Sequence, residues 1–125
     1  MPYNIHGLGK KNEVHVLNQL PENSPQLELH CASGDDDLGY NYPKVGSDFN
    51  WRFDAWARTL FFCHFWWGDK DKAFDVFNHP LHCVEDAYQF IPEYTKKCIY
   101  KVTAEGFYLG YEKDGETIYE KYREW

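Results

Sequence analysis

From Val14 onward, short apolar runs give way to turn signals about every 8–15 residues, and this rhythm most narrows what the chain can fold into. Runs this short leave no room for a helical core. They suit strands of a sandwich or barrel. The strands expected are Glu13–Asn18, Leu27–Ala32, Asp48–Phe53, Thr59–Trp66, Ala73–Phe77, Lys97–Thr103, Phe107–Tyr111 and Glu116–Tyr122. In the second, Leu27, Leu29 and Cys31 share one face while Glu28 and His30 share the other, the period of two of a half-buried strand. Phe61 to Trp66 is apolar at nearly every position, as a central strand would be. Asp114-Gly115 supplies the positive φ angles of a two-residue hairpin turn, which sets Tyr111 opposite Ile118 and Gly110 opposite Tyr119. Helix is scarce; Cys83–Phe90 could form two turns before Pro92. The expected fold is an all-β antiparallel sandwich of about eight strands, with a loose polar arm over residues 1–12 and one domain over 13–125.

Five Trp, ten Tyr and nine Phe suit pleated, half-buried surfaces. The formal net charge of −7 repels phosphate backbones and anionic membranes, so neither nucleic acid nor a membrane surface is an expected partner. No apolar run reaches the roughly 20 residues of a membrane helix. The start, Met1-Pro2-Tyr3-Asn4-Ile5-His6, has no apolar signal core, which leaves a cytosolic protein and a processed secreted one both open.

Cys31, Cys63, Cys83 and Cys98 form no Cys-x-x-Cys pair, and an even number of scattered cysteines in a small domain reads as a disulfide framework. His and Cys are neighbours at His30-Cys31, Cys63-His64 and His82-Cys83, so a zinc site is conceivable. Neighbours on a strand point to opposite faces, however, which argues for disulfides plus surface or packed histidines. Asp35, Asp36 and Asp37 lack the alternating acids and closing Glu of a calcium loop and read as a solvated turn. No cofactor or metal is expected. None of Ser24, Ser33 and Ser47 sits in a nucleophile elbow, and no histidine motif recurs, so the chain is not read as an enzyme.

The ordered signs Val14-His15-Val16-Leu17-Asn18, Leu27-Glu28-Leu29-His30-Cys31-Ala32-Ser33, Asp36-Asp37-Leu38-Gly39, Trp51-Arg52-Phe53, Thr59 to Trp67, Ala73-Phe74-Asp75-Val76-Phe77 and Cys98 to Leu109 together make the chain resemble the plant self-incompatibility S1 family, the S-protein homologues. The resemblance covers roughly residues 13–125. It implies a small secreted β-sandwich with two disulfides, its leader removed, that signals by binding a cell-surface receptor. The family's best-understood members are pistil ligands recognised by pollen receptors, which trigger a calcium-linked death response. The chain departs from the family in two places. The third and fourth cysteines often lie close together there, whereas residues 84–97 separate Cys83 from Cys98 here; and Tyr100 stands where Trp is frequent. The family's short gap argues against pairing those two cysteines, so the expected bridges are Cys31–Cys98 and Cys63–Cys83.

Under this reading the protein is a monomer, and recognition falls to loops at one end of the sandwich. These are Trp67 with Asp69, Lys70, Asp71 and Lys72, helped by Asp35, Asp36, Asp37 and His79. The alternative is a carbohydrate-binding module that stacks sugar rings on Trp66, Trp67 or Trp56.

Overall fold

The computed structural model describes residues 3–4 and 11–125. Its strands are β1 (Tyr3–Asn4), β2 (Asn12–Asn18), β3 (Glu28–Ala32), β4 (Asp37–Asn41), β5 (Asp48–Phe53), β6 (Phe61–Trp67), β7 (Lys70–Phe77), β8 (Lys97–Thr103), β9 (Gly106–Lys113) and β10 (Glu116–Arg123). They form a six-stranded sheet in the order β1-β5-β2-β8-β9-β10 and a four-stranded sheet in the order β4-β3-β6-β7. The fold is the expected all-β sandwich, with one departure: β1 pairs with β5, and β2 with β8, in parallel. The arm expected over residues 1–12 lies mostly outside the described residues. Within them, Tyr3–Asn4 pairs as a strand and buried Asn12 already opens β2.

Alternation along the strands sends one set of side chains inward from each sheet, and aromatic rings fill the space between. Trp51 meets Phe61 with ring centroids 5.4 Å apart, Phe53 meets Phe77 at 4.8 Å, and Phe65 meets Phe107 at 4.9 Å. Tyr100, the residue in the Trp-favoured position, is fully buried, and its hydroxyl donates to the Val76 carbonyl at 2.8 Å. A Tyr here thus ties β8 to β7 across the sandwich by a bond a Trp ring would have to make differently.

The cysteines pair as Cys31–Cys63 and Cys83–Cys98, which corrects the expected connectivity. The reason is register. Cys31 on β3 stands directly opposite Cys63 on β6, both point into the core, and their Cα atoms are 4.1 Å apart. No other cysteine can compete with a partner held on the adjacent strand. Cys98, the second residue of β8, takes Cys83, so the extra length of residues 84–97 serves as the loop this bridge closes.

The helix expected over Cys83–Phe90 is a single 3-10 turn, Glu85–Ala87. Cys83 sits at a left-handed φ of 65°, and Val84 is extended with no capping side chain, so helical geometry starts late and stops within one turn. The C-terminal strand is pinned to this turn: Asp86 accepts from the Tyr122 hydroxyl at 2.6 Å and from Arg123 at 2.8 Å.

The β9–β10 hairpin has the register read from the sequence, with Ile118 opposite Tyr111 and Tyr119 opposite Gly110. Tyr119 lies against Gly110 so closely that a Cβ there would meet its ring at 2.6 Å. At the tip Asp114 and Gly115 have φ of 53° and 82°. A side chain at Gly115 would meet nothing within 4 Å, so substitution there tests backbone strain free of any clash. Gly115→Val is expected to cost roughly 1–2 kcal/mol, the left-handed penalty of a non-glycine residue. Thermal melts check this; an unchanged melting temperature would refute the turn geometry.

On the outer face of the six-stranded sheet, His15 is clamped between two carboxylates. Its Nδ1 lies 2.8 Å from Asp48 and its Nε2 lies 2.7 Å from Glu13. A neutral imidazole has one N–H, so both contacts are hydrogen bonds only when the ring is protonated. Burial pulls the ring's pKa down, but the bonds to Asp48 and Glu13 outweigh it and hold His15 above its ordinary value. A raised folded pKa contributes stability that is full below the ordinary histidine value of about 6.5 and is lost as pH rises through the folded value. Asp48 shifts the other way: burial alone would raise it, the bond from His15 lowers it, and its contribution fades only in acid. The melting temperature is therefore expected to be higher at mildly acidic than at mildly alkaline pH. In His15→Gln that difference should shrink by roughly 2–4 °C.

Candidate functional site

The β3–β6–β7 register defines the outer face of the four-stranded sheet. Opposite rows are Ala32–Phe62–Asp75, His30–His64–Ala73 and Glu28–Trp66–Asp71. On β4, Tyr40 stands beside His30 and Asp37 beside Ala32. Four of these rings form a ladder. His30 stacks on Tyr40 at 4.4 Å, Tyr40 on Trp66 at 6.0 Å, and Trp66 on His64 at 3.9 Å, each pair within 27° of parallel. Tyr40 is 59% exposed, Tyr42 58% and Phe62 39%, so this face keeps large apolar surface in water. Solvent exposure of contiguous rings on a sheet face is the mark of an interaction surface.

Carboxylates fix the ladder at its edges. Asp37 accepts from His30 Nε2 at 2.7 Å, Asp71 pairs with His64 Nε2 at 2.8 Å, and Glu28 accepts from the Tyr42 hydroxyl at 3.0 Å. The backbone N–H of Gly39, together with His30, holds Asp37 below the usual carboxylate range. None of the outward strand positions in the three rows, or at Asp37 and Tyr40, is Lys or Arg. The six-stranded sheet differs on this point. There Arg52 lies 3.6 Å from Glu13, Lys97 lies 3.2 Å from Glu112, and Lys101 sits over the rings of Tyr119 and Tyr108 at 4.3 and 5.0 Å.

The loop residues expected to act together are divided between the two ends. β3 runs antiparallel to β6, and β6 to β7. The β6–β7 turn, with Trp67 and Asp69, therefore lies beside Glu28, while Asp35, Asp36 and His79 lie at the opposite end. Lys70, Asp71 and Lys72 belong to β7 rather than to a loop, because the turn consists of Gly68 and Asp69 alone. Trp67 is half-buried, with its ring 5.6 Å from Trp125 and its Nε1 donating to Ser24. Of the earlier candidates, Asp37 and Asp71 are brought to the aromatic face. Trp66 and Trp67 point to opposite sides of β6, and Trp56, 70% exposed, lies in the β5–β6 loop at the far end from Trp66. The three tryptophans thus form no common sugar-stacking tray, and the ladder's rings turn their faces toward one another.

Sequence reasoning passed over Tyr40 and read His30 and His64 only as surface or packed histidines beside cysteines. The period of two along Leu27–Ala32 places His30 outward, but Phe61–Trp66 reads as apolar on both sides and Tyr40 falls on no expected strand, so only the strand order makes the three neighbours. His30 and His64 are register partners, yet their Nε2 atoms turn to carboxylates on opposite flanks of the sheet, Asp37 on β4 and Asp71 on β7. They diverge rather than converge on one point.

A disulfide-stapled two-sheet β-sandwich with an aromatic, acidic sheet face is the class these observations define. The plant self-incompatibility protein S1 family model matches residues 13–125, and the chain belongs to that family. It is similar to S-protein homolog 3 of Arabidopsis thaliana, 32% identical over 81% of this chain and 65% of that protein. It is also similar to S-protein homolog 19 of that plant, 44% identical over 51% of this chain and 49% of that protein, and to S-protein homolog 4, 28% identical over 84% and 74%. The chain spans about half to two thirds of the length of the first two. No solved structure matches it. No helix among the described residues is long and apolar enough to cross a membrane.

Proposed function

We propose that this S-protein homologue is a secreted extracellular signalling ligand that binds a cell-surface receptor and catalyses no reaction. The observation that carries the reading is the ring ladder on the outer face of the four-stranded sheet, where Tyr40 is exposed and His30, His64 and Trp66 stay partly open to solvent. Membership of the self-incompatibility family and two disulfides, which suit an oxidising compartment, support it. The ladder is the proposed contact surface. Asp69 at one end, with Lys70 and Lys72 on the edge strand, and Asp35, Asp36 and His79 at the other end, are proposed as its rim, where charge sets on-rate and selectivity.

The test is to apply pure oxidised protein to pollen tubes, roots and leaf cells while recording cytosolic calcium, with the reduced and alkylated protein as control. A calcium rise that requires the folded protein is expected. Absence of response in every tissue, or RNA cleavage that disappears in His30→Ala or His64→Ala, would overturn the reading.

A further inference from the structure

The two outer faces of the sandwich use the same chemistry and differ in who supplies the cation. On the six-stranded sheet the chain provides its own: Lys101 over Tyr119 and Tyr108, and Arg52 and Lys97 beside glutamates. On the four-stranded face, rings and carboxylates also share the outer surface, but the outward strand positions of the three rows bring no Lys or Arg. Among the described residues, the carboxylates there bond to uncharged donors or to histidine, and each keeps acceptor capacity, since an ionised carboxylate offers about four lone-pair sites. Carboxylates with open acceptor sites beside the exposed Tyr40 side chain favour a guanidinium or ammonium group above any neutral or acidic one.

We propose that this face docks a basic segment of the partner, whose arginine or lysine side chains lie against Tyr40 and Trp66 and pair with Glu28, Asp37 and Asp71. The inference rests on the signalling reading only for the partner's being a receptor; the chemistry of the contact is independent of it. Arginine fits best, because its planar fork bonds a carboxylate with two parallel N–H donors. Small residues, Ala32 beside Asp37 and Ala73 between Asp71 and Asp75 on the edge strand, flank the carboxylates on this face.

The probe is a short synthetic peptide alternating arginine and threonine, so that an extended conformation presents every arginine on one side. Its glutamate counterpart and an array of neutral glycans serve as comparisons. Calorimetry should show binding of the arginine peptide, weakened about tenfold or more by Glu28→Gln/Asp37→Asn/Asp71→Asn and, separately, by Trp66→Ala. A charge-matched control, Asp114→Asn/Glu116→Gln/Glu120→Gln on the far hairpin, should bind like the wild type. Equal losses in both triple variants would reduce the effect to net charge and overturn the proposal. Binding of glycans or of the glutamate peptide at this face would do the same. The calcium assay separates the two readings. A calcium response without arginine-peptide binding leaves the ligand reading and removes this one, whereas peptide binding with no response in any tissue does the reverse.

Discussion

Replacing both members of the core bridge, Cys31→Ala/Cys63→Ala, is expected to remove a large part of the domain's stability. Its loop spans 32 residues, for which the chain-entropy relation gives about 4 kcal/mol. Both sulfurs are fully buried between the sheets, so the truncated side chains also leave unfilled space. Against a typical total of about 5–15 kcal/mol, this leaves the variant marginal at growth temperature. The other bridge closes a 15-residue loop and should cost less, about 3 kcal/mol. Denaturant titration of the two double variants ranks them; equal losses, or a larger loss at Cys83–Cys98, would contradict the assignment. Trypsin can cut between the partners of each bridge, after Lys44, Arg52 and Arg58 in one case and after Lys96 and Lys97 in the other. Peptide mapping without reductant should therefore recover Cys31 linked to Cys63 and not to Cys98.

The largest functional effect is expected from Tyr40→Ala/Trp66→Ala. Both rings lie on the outer face, and neither belongs to the buried core. Removing them takes away the centre of the ladder while the inward residues of β4 and β6 keep their packing. Interface anchors of this type cost about 2 kcal/mol or more on truncation, so the concentration that gives half-maximal calcium response should rise about thirtyfold or beyond. The melting temperature should move by only a few degrees, in keeping with surface substitutions. A folded double variant with wild-type potency would show that recognition lies elsewhere, with the loop ends the next surface to mutate.

Sequence reasoning reached the strands whose alternation is apolar against polar. β5 and β8 have the bounds expected of them, and the Asp114-Gly115 turn set its hairpin's register. It failed where polar residues pair. β4 reads as a turn because Asp35-Asp36-Asp37 and Gly39 crowd its start, yet Asp37 to Asn41 pair with β3 around a shift at Gly39, whose φ is 77°. Lys70-Asp71-Lys72 reads as loop, yet a two-residue turn forces pairing from Lys70 onward. The site was half legible for a different reason. Which side of its strand His30 occupies follows from period two, but which strands are neighbours is set by the whole sandwich. The disulfides failed on that same point, because family spacing is a weaker guide than two cysteines facing each other across adjacent strands.

The placement of β2 fixes an order of events in folding. It lies between β5 and β8, and β8 begins only at Lys97. The strands of the four-stranded sheet, by contrast, all lie between Glu28 and Phe77, interrupted only by β5, so their pairing needs nothing from the C-terminal third. The first long strand of the chain thus waits, one edge unpaired, until most of the sequence is available, and loop closure over that distance is slow. In the interval β2 offers a bare apolar edge to any other chain. Yield on refolding should accordingly fall with protein concentration more steeply than the stability of the finished domain would suggest.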